Sequence, residues 1–143
     1  MIGVLIAIIS GALMSIQGVF NTGLSKQTNL WFSNLFVQVT ALIMCFIMFL
    51  VTKSKWQFAD LLHVKNKYIL LGGIIGAFIT MTVISSISKL GTAKGIMIII
   101  ISQMIVAYLI ELFGLFGTDR QPFEIKKAIA TIITIVGIYL FKS

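Results

Sequence analysis

The sequence predicts an all-α integral membrane protein with five transmembrane helices, and three observations support that fold class. Four stretches contain no Asp, Glu, Lys or Arg, namely residues 1–25, 27–52, 68–88 and 95–110. Hydrophobic residues make up 59% of the 143 residues and charged residues only 10%. The mean hydropathy of +1.09 lies far above that of soluble globular domains. About 20 apolar residues in a helix span a hydrocarbon core of about 30 Å, so these stretches are predicted to cross the membrane. The few polar side chains inside them are the candidate functional groups.

The predicted helices form one domain and lie near residues 2–20, 32–51, 68–87, 95–116 and 123–141. The first three follow the charge-free stretches, and aromatic side chains flank them, as is typical of membrane interfaces: Trp31, Trp56 and Tyr68. The fourth begins after Lys94. The fifth follows Pro122, since proline suits the start of a helix. Residues 55–67 mix apolar and basic side chains, which fits either a short interfacial helix or a solvated loop.

The distribution of basic residues predicts a cytoplasmic N-terminus. Five crossings place the termini on opposite sides, with seven Lys or Arg residues on the side of the N-terminus and four on the other. Cytoplasmic loops carry the excess of Lys and Arg in membrane proteins. We therefore expect a multi-pass protein of the cell (inner or plasma) membrane.

Composition argues against several other classes of protein. The net charge of +7 comes from lysines that flank membrane helices, where they meet anionic headgroups, so we expect no nucleic acid partner. One cysteine, Cys45, and one histidine, His63, provide neither a disulfide framework nor a metal site. Catalytic motifs are absent from the sequence. We expect neither an enzyme nor a bound cofactor or metal.

Small residues recur along single faces of two helices. Helix 1 carries Gly11, Gly18 and Thr22 in such a stripe, and helix 3 carries Gly72, Gly76 and Thr80. Small side chains let helix backbones approach closely in lipid. The stripes fit either tight packing within one bundle or a subunit interface.

Two pairs of amide side chains are predicted to lie at one level of the membrane. Gln17 and Asn21 are four residues apart late in helix 1, and Asn34 and Gln38 are four apart early in helix 2. Residues four apart project from one helix face. If helices 1 and 2 are antiparallel neighbours, these amides form a cluster that can hydrogen-bond a polar solute. Alternatively, they only join helices, at about 1 kcal/mol each.

Helix 4 carries the other candidate polar residues, Gln103 and Glu111, eight residues apart on one face. The 16 charge-free residues before Glu111 form about 24 Å of helix, which is shorter than the hydrocarbon core. If Lys94 lies at one interface, the Glu111 carboxylate lies inside the opposite edge. Such a carboxylate can exchange protons or bind a cation. The alternative is a shallow residue that reaches water or pairs with a lysine at 126–127.

These motifs resemble the YdcZ family of the drug/metabolite transporter superfamily. The similarity is carried by residues 11–24 in helix 1, 71–76 in helix 3, 89–93 in the next turn, 102–103 and 111–117 in helix 4, and 137–140 in helix 5. The resemblance implies five-helix subunits that pair in antiparallel fashion, as two copies of one dual-topology chain or as two related chains. Such a pair mirrors the inverted repeats fused in ten-helix members. Small multidrug exporters of the superfamily carry a carboxylate in the middle of helix 1, where this chain offers Gln17.

The sequence and the resemblance together predict a small secondary transporter, or one subunit of it, for a small polar solute or metabolite. Its site is expected at a dimer interface in the lipid bilayer, lined by Gln17, Asn21, Asn34, Gln38 and Gln103, with Glu111 as the ionisable partner. Its partner would be a second copy or a related chain. One alternative is a proton-coupled exporter of organic cations that uses Glu111. Another is a non-transporting accessory or assembly protein whose polar residues only join helices.

Overall fold

A computed structural model describes residues 1–57, 59–60, 63–64 and 66–142. Across these ranges the protein has five helices of 18 residues or more and no β-strand, in agreement with the predicted all-α class. The chain divides into two units, residues 1–88 and 89–143. The predicted interfacial segment at 55–67 includes four positions outside the described ranges: Phe58, Leu61, Leu62 and Lys65.

Four helical segments are long and apolar enough to cross a membrane. They are α1 (Ile2–Gln27), α2 (Leu30–Val51), the segment Lys67–Leu90, and α4 (Thr92–Phe113). The third consists of a 3-10 turn followed by α3 (Gly72–Leu90). The fifth helix, α5 (Ile125–Lys142), has only 18 residues, three of which are lysines. The fifth crossing therefore stays a prediction.

Local sequence signals set a short connection between α1 and α2. Thr28 ends α1, where its N–H and its hydroxyl both donate to the Leu24 carbonyl, at 3.0 and 2.8 Å. Asn29 starts α2, where its side chain accepts the N–H of Phe32 at 2.8 Å. Helix α1 thus continues to Gln27, beyond its predicted end near residue 20. A connection this short brings α1 and α2 together as antiparallel neighbours.

The first unit buries polar groups and exposes apolar ones, which is the arrangement expected of helices in lipid. Long apolar side chains of all three helices point outward, including Leu5, Leu42 and Phe78 at 59, 68 and 57% exposure. Within the described residues, the buried apolar side chains are Ile84 and Ile87, both on α3. Four polar side chains of the first unit thus lie buried where its helices pack together.

In the second unit α4 ends at Phe113, three residues before the predicted end near residue 116. Gly114 adopts the left-handed conformation, φ 63°, and its N–H bonds the carbonyls of Ile110 and Glu111. A 3-10 turn, Leu115–Gly117, follows. The apolar run that suggested a longer helix is therefore interrupted by a glycine cap.

Candidate functional site

Buried polar side chains of the first unit gather where α2 meets α1 and α3. Ser33 is completely buried, and Asn21, Thr22 and Asn34 are 5–8% exposed. We call these four residues, together with the half-buried Gln38 and Thr80, the polar cluster. Three of its members, Asn21, Asn34 and Gln38, were predicted site residues, whereas Ser33, Thr22 and Thr80 were not predicted. Thr22 and Thr80 belonged to the small-residue stripes, which was the one signal that could have pointed to them.

Hydrogen bonds within the cluster connect α2 to both neighbouring helices. The Ser33 hydroxyl donates to the Asn21 carbonyl of α1 at 3.0 Å. Asn34 Nδ2 donates to the Ala77 carbonyl of α3 at 3.1 Å, and Gln38 Nε2 donates to Thr80 Oγ1 at 3.2 Å. Because Asn34 and Gln38 are four residues apart, they share one face of α2 and reach the same turn of α3. The second predicted amide pair thus joins helices, as the sequence allowed.

One buried acceptor of the cluster has no hydrogen-bond partner among the described residues. The Ala77 carbonyl only accepts hydrogen bonds, so the Asn34 amide must turn Nδ2 toward it. Its Oδ1 then faces away and, among the described residues, meets no hydrogen-bond donor. Leaving such an acceptor unsatisfied costs about 1–3 kcal/mol. The Asn34 Oδ1 atom is therefore a buried acceptor that lacks a donor among the described residues.

Gln17 lies beside two cavities of the first unit. A cavity of about 420 Å³ is lined by α1 and α2 residues that include Gln17, Asn21 and Thr40. A second, of about 60 Å³, lies between α1 and α3 and is lined by Gln17, Asn21 and Thr80. The Gln17 side chain is exposed. Gln17 and Asn21 therefore line open space, whereas Asn34 and Gln38 hydrogen-bond to α3.

Gln103 and Glu111 belong to the second unit, and both are exposed. Glu111 Oε2 lies 3.8 Å from Lys127 Nζ, and Lys127 Nζ lies 3.3 Å from Glu124 Oε1. The side chains of this trio are 40–50% exposed, so the ion pairs contribute little to stability. The pairing of Glu111 with a lysine at 126–127 is the alternative that the sequence left open.

The small-residue positions differ in what surrounds them. A Cβ built on Gly18 would lie 2.7 Å from Ile87 Cδ1, so Gly18 permits the close approach of α1 and α3. A Cβ on Gly11, Gly72 or Gly76 would meet no atom within 4 Å. Only Gly18 of these four thus packs against another helix of the described chain.

No group of three or more His, Cys, Asp and Glu side chains that could hold a metal ion occurs in the described ranges. The arrangement offers amides, hydroxyls and one unpartnered acceptor. Its chemistry is that of a hydrogen-bonding site.

Comparison with known families agrees with the helical architecture and with the sequence motifs. Residues 2–140 match a family described as "Putative inner membrane exporter, YdcZ". No curated protein and no solved structure matches the chain. The matched family is one of membrane exporters rather than enzymes, and the four long apolar segments fit a multi-pass membrane protein. The match spans nearly the whole sequence, so this chain belongs to the YdcZ family.

Proposed function

We propose that this chain is one subunit of a secondary transporter that binds a small polar solute at the polar cluster and Gln17. The buried Asn34 Oδ1, which has no donor among the described residues, is the observation that carries the proposal. Buried polar atoms are almost always hydrogen-bonded, and an exception calls for an explanation such as a ligand. A solute that brings an N–H or O–H group would satisfy this atom.

Gln17 supplies the complementary groups of the proposed site. Its amide carries both donors and an acceptor, lines both cavities beside the cluster, and makes no hydrogen bond with the described residues. Solute binding would therefore not require an existing helix contact of Gln17 to break. Asn34 and Gln38 would hold the site together through their bonds to α3.

The cavity of about 420 Å³ beside Gln17 indicates why one subunit would need a partner. It is lined by α1 and α2 alone, on a surface where apolar side chains such as Phe20 and Phe36 are exposed. We propose that a second copy, or a related chain of opposite orientation, closes this side. Gly72 and Gly76 leave open space for the close approach of such a partner. We propose a cytoplasmic N-terminus on the distribution of Lys and Arg residues alone.

The ion pair of Glu111 bears on the organic-cation alternative. A cation bound by Glu111 would first have to displace Lys127, whose ammonium lies 3.8 Å from the carboxylate. The proposal therefore gives the amides the main role in solute recognition. Glu111→Gln is expected to leave solute binding unchanged under this proposal and to remove it under the alternative.

Solute-dependent thermal stabilisation of the purified full chain tests the proposal. We expect at least one polar metabolite of a panel to raise the melting temperature of the wild type, because a ligand that binds only the folded state stabilises it. Gln17→Ala should lose that shift and keep the melting temperature of the free protein. Gln27→Ala is the matched control, since Gln27 is an exposed amide near the end of the same helix.

Two results would count against the proposal. A shift retained in Gln17→Ala would place the solute elsewhere. If no solute of the panel stabilises the wild type, and Gln17→Ala only lowers the stability of the free protein, the accessory or assembly alternative is favoured.

A further inference from the structure

A cavity of about 560 Å³ lies in the second unit, between the start of α4 and the last turns of α5, and the proposed solute site does not use it. One part of its lining is apolar and includes Ile98, Ile135 and Ile138. Its other end contains Thr92, Ala93 and Lys94, the first three residues of α4. The cavity thus has an apolar part and a polar end that contains the charged residue Lys94.

The polar end is positive. Lys94 is half-buried, no residue lining the cavity is acidic, and Lys94 forms no ion pair with the described residues. The first N–H groups of a helix lack partners inside the helix, and α4 receives no side-chain cap because Gly91 occupies the N-cap position. A lysine that lines the same cavity and has no ion pair among the described residues is complementary to an anion, as are these N–H groups.

The position of the cavity along α4 places this positive end at headgroup level. Helix α4 has 22 residues and is long and apolar enough to cross a membrane. Its length of about 33 Å matches the hydrocarbon core, so its first turn lies near one interface. The isoleucine wall, which begins one turn further along α4, lies within the acyl-chain region.

We propose that this cavity binds one anionic phospholipid of the surrounding bilayer. The phosphate contacts Lys94 and the free N–H groups at the start of α4, and an acyl chain lies along Ile98, Ile135 and Ile138. Charge complementarity selects an anionic headgroup, because a zwitterionic one brings its own cation to a site that has no carboxylate to receive it. The isoleucines select a lipid over a soluble anion.

Lipid binding to the full chain in detergent tests the proposal, by native mass spectrometry and by thermal shift. The probes are phosphatidylglycerol and phosphatidylcholine with identical acyl chains, and inorganic phosphate at the same concentration. We expect the wild type to bind phosphatidylglycerol more tightly than phosphatidylcholine. Lys94→Gln should reduce that preference about fivefold, whereas Lys94→Arg should retain it. Lys89→Gln is the matched control, because Lys89 is exposed and does not line the cavity.

A second variant tests the apolar part of the site. Ile138→Trp is expected to fill the cavity and weaken binding of both phospholipids. The proposal is overturned if the wild type binds the two phospholipids equally, or if Lys94→Gln behaves like Lys89→Gln. Full binding by a folded Ile138→Trp variant, or equal stabilisation by inorganic phosphate, would overturn it as well.

Discussion

Replacing Asn34 by aspartate is expected to destabilise the protein by about 3 kcal/mol or more, although the two side chains have nearly the same shape. The aspartate loses the N–H that now reaches the Ala77 carbonyl at 3.1 Å and places an ionised oxygen beside that carbonyl. Asn34 is only 7% exposed, so water does not solvate the new charge. Thermal and denaturant unfolding in detergent at neutral pH would measure the loss.

Asn34→Leu is the informative control for that substitution. Leucine also loses the bond to Ala77, at about 0.5–1.5 kcal/mol, but it removes the unpartnered Oδ1 as well. The two effects oppose each other, so we expect the free protein to change by less than about 1 kcal/mol in either direction. A loss as large as that of the aspartate variant would show that Oδ1 has a partner in the folded protein.

Gly18→Leu is expected to produce the second large effect, a loss of about 2–3 kcal/mol in the free energy of unfolding. Even a Cβ at this position would lie 2.7 Å from Ile87 Cδ1 and 3.5 Å from Val83 Cγ1. The tip of Ile87 could turn aside for alanine, but a leucine must push α1 and α3 apart. Circular dichroism during thermal unfolding would report the loss.

Gly11→Leu provides the comparison on the same helix. A Cβ on Gly11 meets nothing within 4 Å, so the folded chain accommodates leucine there and its stability should change by no more than about 0.5 kcal/mol. Equal destabilisation by the two substitutions would mean that helix propensity, rather than packing against Ile87, sets the cost.

Hydropathy was sufficient to predict the all-α class and four long apolar segments, because the side chains that face lipid are apolar. Apolar side chains such as Leu42 and Phe78 face outward, so hydropathy directly reveals the long helices. The end of α4 was harder to predict. The residues after Glu111 are apolar and suggest a continuing helix, whereas the left-handed conformation of Gly114 ends it at Phe113.

Only part of the candidate site could be predicted from the sequence. Four-residue spacing correctly placed Asn34 and Gln38 on one face of α2, and both reach α3. Their partners were not predictable, since the Ala77 carbonyl is a backbone group 43 residues away that any residue type would present. The role of Ser33 was hidden for the same reason, because it donates to the backbone of Asn21.

The ion pair of Glu111 could not be predicted from the sequence for a different reason. Its position near a helix end allowed either a solute site or an ion pair with one of two adjacent lysines. Folding of residues 114–124 back along α4 forms the ion pair, since it brings Lys127 Nζ within 3.8 Å of the carboxylate. Hydropathy and spacing carry no information on that reversal of the chain.

We propose that a solute supplies the donor that the Asn34 Oδ1 atom lacks among the described residues. Solute-induced thermal stabilisation of the Asn34→Leu variant tests this proposal, with the compound that most stabilises the wild type as the probe. We expect the variant to be as stable as the wild type without solute and to gain no stabilisation when the solute is added. A folded Asn34→Leu variant that is stabilised by the solute as strongly as the wild type would contradict it.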